Sequence, residues 1–410
     1  MRLFYSFGIF LFELAIRFIA KFNTKAKFWV EGRSDWKSIL KKNIPDNKKV
    51  IWFHCASLGE FEQGRSVIEA YKKVNPDHFI LLTFFSPSGY EVCKKYSGAD
   101  FIGYLPSDKL NNSKAFLSMV KPYKAYFVKY EFWFNYLNQL KNHSIDTYLI
   151  SGIFREKQHF FKWYGSWFKK QLSAFTHFYL QNQQSGELLK SIGYNNYSVC
   201  GDTRFDRVNE LVRNTTPVKA IEDFSANNYT IIAGSTWPKD EELLAQLINS
   251  NKNIKLVIAP HEIHDNHLKQ LSKLFGQKAG FFTQGEFDRQ VLIVDTIGIL
   301  SSIYRYGKWA YIGGGFGGGI HNTLEAVSYG IPVIFGPNYQ KFQEAKDLIS
   351  LKAGASIHDE QSFLAIAEKW IKNEEVVKEM GLSAKKYVLS QLGATNLIVS
   401  ETTDTKKASY

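Results

Sequence analysis

The stretch Val50-Ile51-Trp52-Phe53-His54-Cys55-Ala56-Ser57-Leu58-Gly59-Glu60 runs from a near-continuous apolar segment, through a tight turn, into the helical pattern Glu60–Val74. A run of branched and aromatic residues reads as a strand buried on both faces, and apolar residues at helical spacing read as an amphipathic helix. The same strand–turn–helix rhythm recurs along the chain. Further strands are expected at Phe79–Phe84, Phe101–Leu105, Ala125–Val128, Thr147–Ile150 and His177–Leu180. After Arg204-Phe205-Asp206 the rhythm stops, and it resumes at Thr230–Ala233, Lys255–Ala259, Val291–Val294, Trp309–Ile312 and Pro332–Phe335. Strands alternating with helices imply parallel sheets joined by right-handed crossovers.

At 410 residues the chain exceeds the ~250–300 residues at which one hydrophobic core stops growing, so two domains are expected. The polar stretch Asn214–Asn228, which holds Pro217, reads as the connection between them. The division is therefore residues 1–25, 26–210, 211–228 (linker) and 229–400. Two doubly wound domains place their binding loops at strand C-termini around a shared cleft, an arrangement compatible with transferases, dehydrogenases, epimerases and ligases alike.

A hydrophobic content of 45% with 22% charged residues excludes a largely disordered chain. The net charge of +12 attracts anions: nucleic acid, an acidic membrane surface or a phosphorylated substrate. No zinc-finger spacing, RNP-like aromatic run or long Lys/Arg block accompanies the charge, so nucleic acid is not indicated. Cys55, Cys93 and Cys200 are far apart, which indicates neither a disulfide framework nor a cysteine metal site and fits a reducing, cytosol-facing compartment. The N-terminus, apolar from Leu3 to about Ala20 and followed by Lys21, Lys25 and Lys27, is near the ~20 residues a membrane span needs. Glu13 and Arg17 interrupt it and, four apart, can pair on one helix face. It reads as a membrane anchor, either a short span or a helix lying in the interface, with the basic residues holding the body on the cytoplasmic side.

Four strand ends carry polar chemistry. Glu60 near a helix N-terminus can act as general base toward a hydroxyl, although Ser57-x-x-Glu60 is equally a capping box. Glu131, in Val128-Lys129-Tyr130-Glu131-Phe132-Trp133-Phe134-Asn135, is an acid set among aromatics that can equally pair with a neighbouring Lys. Ser235 and Thr236, ahead of the helix opened by Asp240-Glu241-Glu242, offer hydroxyls and free N–H groups to a phosphate, or simply cap that helix. Tyr311 to Glu325 packs six glycines into residues 313–319 and then brings Asn322 and Glu325 onto one helix face. Such a loop lets backbone approach a ligand, and a carboxylate there can accept both hydroxyls of a ribose. His261-Glu262-Ile263-His264 lacks the second His of HExxH, so no metal is expected, and His261 is read as a donor-site residue near a strand end.

Taken in order, these motifs resemble the 3-deoxy-D-manno-octulosonic acid (Kdo) transferases of lipopolysaccharide assembly. The resemblance rests on Ser57-Leu58-Gly59-Glu60, Thr83 to Gly89 with Ser86-Pro87-Ser88-Gly89, Leu105-Pro106-Ser107-Asp108, Glu131-Phe132-Trp133 with Asn135, Gly201 to Asp206, Gly234-Ser235-Thr236, Pro260-His261, Asp295-Thr296-Ile297-Gly298 and His321 to Glu325. It implies a GT-B fold with an N-terminal membrane-anchoring helix, and inverting transfer of Kdo from CMP-Kdo to lipid IVA without a metal or other cofactor. It implies Glu60 as the base and Glu131 and Arg204 as groups that stabilise the transition state. It also implies a CMP site formed by Pro260, His261, Ile297, Gly298, Ile299, Asn322, Thr323, Leu324 and Glu325, at the cytoplasmic face of the inner membrane. Lys129 and Ile299 stand where the family commonly has acids. The competing expectations are a UDP-sugar-dependent transferase or epimerase of the cell envelope, and a non-catalytic nucleotide-binding membrane module.

Overall fold

The computed structural model describes residues 1–403. The chain divides into two compact units, one of Met1–Arg207 with the segment from Leu392 onward and one of Val208–Gln391. In the first, seven parallel strands form one sheet: β1 (Val50–Cys55), β2 (Phe79–Phe84), β3 (Phe101–Tyr104), β4 (Lys124–Val128), β5 (Asp146–Gly152), β6 (His177–Leu180) and β7 (Tyr197–Val199), in the order β3-β2-β1-β4-β5-β6-β7. Every residue of β1 is buried, because helices cover both sheet faces. Val50 and Trp52 join one core with Leu81, Phe116 and Phe127. Ile51 and Phe53 join the other with Val67, Ile80 and Tyr126. This is the two-residue period of a strand feeding two cores, each large side chain contributing about 1.5–3 kcal/mol.

The second unit holds β8 (Tyr229–Thr236), β9 (Ile254–Pro260), β10 (Ala279–Phe281), β11 (Val291–Ile293), β12 (Trp309–Ile312), β13 (Val333–Phe335) and β14 (Gly354–Ser356), in the order β10-β11-β9-β8-β12-β13-β14. Each sheet reverses its winding once, between β1 and β4 in the first and between β8 and β12 in the second. In open parallel sheets ligands bind beyond the strand C-termini at such a switch point.

Three expectations change. The stretch 211–228 is not a free linker: helix Thr203–Asn214 runs into it, and helix Lys219–Ser225 buries Ile221 and Phe224 within the second unit. The C-terminal helix Ala394–Thr402, expected in the second domain, packs in the first unit instead. Ile398 and Val399 enter its core, and the Asp206 carboxylate accepts from the N–H groups of Gly393 (2.8 Å) and Thr395 (2.7 Å) at the helix start. The N-terminal helix Arg2–Ile19 buries none of its residues, yet no described helix is long and apolar enough to cross a membrane. Eighteen residues reach only about 27 Å against a hydrocarbon core of about 30 Å, and Arg2, Glu13 and Arg17 interrupt them. Glu13 and Arg17 do pair, at 3.1 Å.

Candidate active site

The first unit's switch point gathers Glu60 from the turn after β1 and Glu131 from the turn after β4. Glu60, in the first turn of helix Leu58–Val74, is only 6% exposed. Ser57 is the N-cap residue, but its hydroxyl does not bond the helix backbone. It donates to Glu60 Oε2. The capping box expected from the spacing is therefore not formed, and the serine orients the carboxylate. The other oxygen, Oε1, lies 3.8 Å from Lys129 Nζ. Lys129 itself sits at a φ of 72°, a conformation a non-glycine residue adopts only when its surroundings hold it.

Glu131, 8% exposed, has its Oε2 3.7 Å from Nε2 of His54, which is wholly buried. Trp133 Nε1–H donates to that Nε2 (2.9 Å), while His54 Nδ1 meets Thr83 Oγ1 at 2.9 Å. Thr83 Oγ1 also accepts from Trp52 Nε1 (2.8 Å) and donates to the Phe53 carbonyl (3.4 Å). A neutral imidazole with its proton on Nδ1 satisfies the hydrogen bonds with Trp133 and Thr83, and its Nε2 then donates nothing to Glu131. His54 and Thr83 thus fix the floor under Glu131. Sequence reading missed both as site residues, because a lone His within an apolar strand looks like core.

Arg204 lies in the first turn of helix Thr203–Asn214. Asp202 accepts from its Nε (2.9 Å) and backbone N–H (2.9 Å), and Gln63, three residues after Glu60, donates to the same Asp202 (3.4 Å). The arginine is thereby tied to the helix that carries the base. Thr203 reinforces the joint by donating to the Gln63 carbonyl. Two other motif acids are structural. Asp206 caps the C-terminal helix, and Asp108, 1% exposed, accepts from the backbone N–H groups of Asn135 (3.0 Å) and Tyr136 (3.0 Å) and from the Tyr5 hydroxyl (2.6 Å). Burial raises the Asp108 carboxyl to about 7, against these hydrogen bonds, which lower it.

In the second unit the switch point is equally built. At the end of β8, Ser235 adopts a φ of 53° and Thr236 is wholly buried, its hydroxyl donating to Glu241 at 3.0 Å. Glu241 in turn contacts His267 Nε2 at 2.9 Å. Asp240 accepts from the Tyr311 hydroxyl (2.8 Å) and from the N–H of Gly314 (2.9 Å), which clamps the glycine loop to the helix start. The glycines divide by role. A Cβ on Gly313 would strike the Ser235 carbonyl oxygen at 2.2 Å and one on Gly315 the Gly336 Cα at 2.6 Å, so these two serve close backbone packing. Gly318 faces open space, with nothing within 4 Å of a Cβ.

Beside this loop three rings stack: His261 lies 4.9 Å from Trp237 and 4.3 Å from His321, both nearly parallel. Trp237 Nε1–H donates to His321 Nε2 at 3.1 Å, which requires that nitrogen to be unprotonated. Burial, together with the neighbouring His261, pushes His321 down to about 4, consistent with that role. Sequence reading selected His261 but not Trp237 or His321, which come from three different strand ends. Pro260 is buried at the end of β9. Ile297 is exposed, Gly298 has a φ of 96°, and Ile299 precedes the short helix Leu300–Ile303. Asn322 accepts from the Leu324 N–H (3.1 Å) and donates to Glu325 (3.0 Å), which fixes that carboxylate. Thr323 and Leu324 are wholly buried, so neither side chain is open to a ligand. His264 is the N-cap of helix Asp265–Phe275, accepting from the His267 N–H at 3.2 Å.

The chain is similar to known proteins in sequence and in fold. The family model of 3-deoxy-D-manno-octulosonic-acid transferase (kdotransferase) matches residues 33–207. The 3-deoxy-D-manno-octulosonic acid transferase of Aquifex aeolicus is 29% identical over 355 residues, 83% of this chain and 93% of that protein. That of Rickettsia bellii is 25% identical over 350 residues, 80% of this chain and 81% of that protein. Among solved structures, UDP-GlcNAc 2-epimerase of Neisseria meningitidis, bound to UDP-GlcNAc, superposes with a TM-score of 0.60 at 15% identity, covering 86% of this chain and 98% of that one. MurG of Acinetobacter baumannii gives 0.54 at 10% identity, covering 86% and 98%. The structural likeness is one of fold, the two-sheet GT-B class.

Proposed function

The chain is a relative of the 3-deoxy-D-manno-octulosonic acid (Kdo) transferases of lipopolysaccharide biosynthesis, and from that premise we propose that it moves Kdo from CMP-Kdo to lipid IVA with inversion. Glu60 takes the proton of the acceptor hydroxyl. The freed oxygen attacks the anomeric carbon, the new C–O bond forms as the bond to the CMP phosphate breaks, and CMP leaves with the electron pair. The observation that carries the reading is the buried Glu60 at a switch point, with Ser57 turned onto Oε2 and Lys129 Nζ 3.8 Å from Oε1, the oxygen assigned to the acceptor hydroxyl. Arg204, oriented by Asp202, supplies positive charge toward the developing phosphate charge, and Glu131 faces the cationic character of the sugar.

In the second unit, the stacked rings of Trp237, His261 and His321 and the open Gly317-Gly318 backbone suit a nucleotide, with Asn322 holding Glu325 for the ribose hydroxyls. Ser235 and the backbone of the turn around it lie where a phosphate is expected, while the committed Thr236 hydroxyl is a structural partner of Glu241. Helix Arg2–Ile19 lies in the membrane interface, its exposed Leu3, Phe4, Phe7, Leu14 and Phe18 toward the lipid, at the cytoplasmic face of the inner membrane.

Two measurements test the proposal. Calorimetric titration is expected to give at least tenfold tighter binding of CMP than of UDP; tighter UDP binding overturns the donor. Mass spectrometry of lipid IVA after incubation with CMP-Kdo is expected to show added Kdo; unchanged lipid overturns the acceptor.

A further inference from the structure

A polar cavity lies beneath helix Arg2–Ile19, and neither Glu60, Glu131 nor Arg204 lines it. Its volume is about 210 Å³, and its lining includes Glu13, Arg17, Trp29, Arg33, Ser107 and Lys109. At ~30 Å³ per water, it holds roughly seven waters' worth of space. That is ample for a phosphate group.

The lining is unbalanced in charge. Three cations face one carboxylate, and that carboxylate, Glu13, is shared by Arg17 at 3.1 Å and by Lys109. Arg33 has no acid. It is 9% exposed, and its donors go to backbone carbonyls of Leu105 (2.8 Å), Trp29 (3.0 Å) and Phe85 (2.7 Å). Its guanidinium lies 4.0 Å from the Trp29 ring centroid and 4.8 Å from that of Tyr104. A buried cation hydrogen-bonded only to carbonyls keeps much of its charge uncompensated. Burial accordingly lowers the Arg33 pKa to about 9.

Donors in the same wall are also unspent. Trp29 is 4% exposed, and its indole N–H has no acceptor. Ser107 Oγ accepts from Asn112 Nδ2 at 3.0 Å, which leaves its O–H free to donate. An orphaned buried N–H is destabilising unless something accepts it. Lys109 stands at the rim, 5.5 Å from the exposed ring of Phe10. From there the apolar row continues through Leu14 and Phe18.

We propose that this cavity binds a phosphate group, presented by a lipid whose chains lie along Phe10, Leu14 and Phe18. Arg33 supplies the buried charge, Trp29 and Ser107 donate, and Lys109 closes the rim. The site is independent of the donor and acceptor assigned above, and its test does not involve transfer.

Arg33 anchors three carbonyls, so its removal endangers the fold, and the test uses Trp29→Phe and Lys109→Met in the full-length protein. Both are first checked for unchanged circular dichroism and melting temperature. Calorimetry is run with dihexanoyl phosphatidic acid, inorganic phosphate and dihexanoylglycerol. Saturable one-to-one binding of phosphatidic acid is expected, weakened at least tenfold by each substitution. Inorganic phosphate binding as tightly makes a free anion the source and keeps the site; phosphate at least tenfold weaker assigns the lipid headgroup. No saturable binding of either phosphate probe, equal binding of dihexanoylglycerol, or affinities that the substitutions leave unchanged overturns the proposal.

Discussion

Asp206→Ala separates a structural from a catalytic reading of the acid that closes the Gly201–Asp206 motif. In the structure this carboxylate touches no reacting group; it accepts from the backbone N–H groups of Gly393 and Thr395 and so starts the helix that returns to the first unit. Loss of an N-terminal cap costs about 0.5–2 kcal/mol, and the charge-assisted, two-bond geometry places this one at the upper end, about 2 kcal/mol. The helix it starts buries Ile398 and Val399 and places the Thr402 carbonyl 2.6 Å from Lys124 Nζ, so the loss propagates into the core. For a unit of this size each kcal/mol moves the midpoint by about 2–4 °C, giving a fall of about 4–8 °C. Differential scanning calorimetry, which resolves successive transitions, is the assay. Well below the transition, transfer activity is expected to stay within threefold of the parent. An unchanged midpoint, or activity lost in a fully folded variant, refutes the capping account.

Asp108 makes stability pH-dependent. Its folded pKa of about 7 lies above the ordinary 3.8, so the stabilisation from holding the proton is complete below about pH 4 and is lost as pH rises through 7. At ~1.36 kcal/mol per pH unit the change is about 4 kcal/mol. The unfolding free energy of the parent relative to Asp108→Asn should therefore fall between pH 4 and pH 7.5; a flat difference contradicts it. Gly315→Ala should destabilise the second unit by about 1–3 kcal/mol in denaturant titration, since its Cβ meets Gly336 backbone, while Gly318→Ala, which faces open space, stays within about 0.5 kcal/mol. Equal effects at the two positions contradict the division of roles among the glycines.

Much of this was legible in sequence because the central strands are buried on both faces and announce themselves as unbroken apolar runs. β1, β2 and β12 lie where such runs stand. The strands that escaped, β7, β10 and β14, are three-residue edge strands, flanked on one side by no partner and carrying Ser or Gly where a central strand has branched residues. The short apolar segment Leu397-Ile398-Val399 marks a helix but not which unit receives it; that depends on Asp206, far away in sequence. Glu60 was legible as either cap or base, and the direction of the Ser57 hydroxyl removes the capping box. The stack of Trp237, His261 and His321 was legible in its parts alone, since its members come from turns after β8, β9 and β12.

The central claim is that Glu60 is the base. Steady-state transfer of Kdo from CMP-Kdo to lipid IVA by Glu60→Gln, with CMP affinity measured in parallel, tests it most directly. Gln keeps the size and the contact with Ser57 but takes up no proton, so kcat should fall by about 10²–10⁴-fold while CMP binding stays within twofold. Turnover within fivefold of the parent contradicts the account.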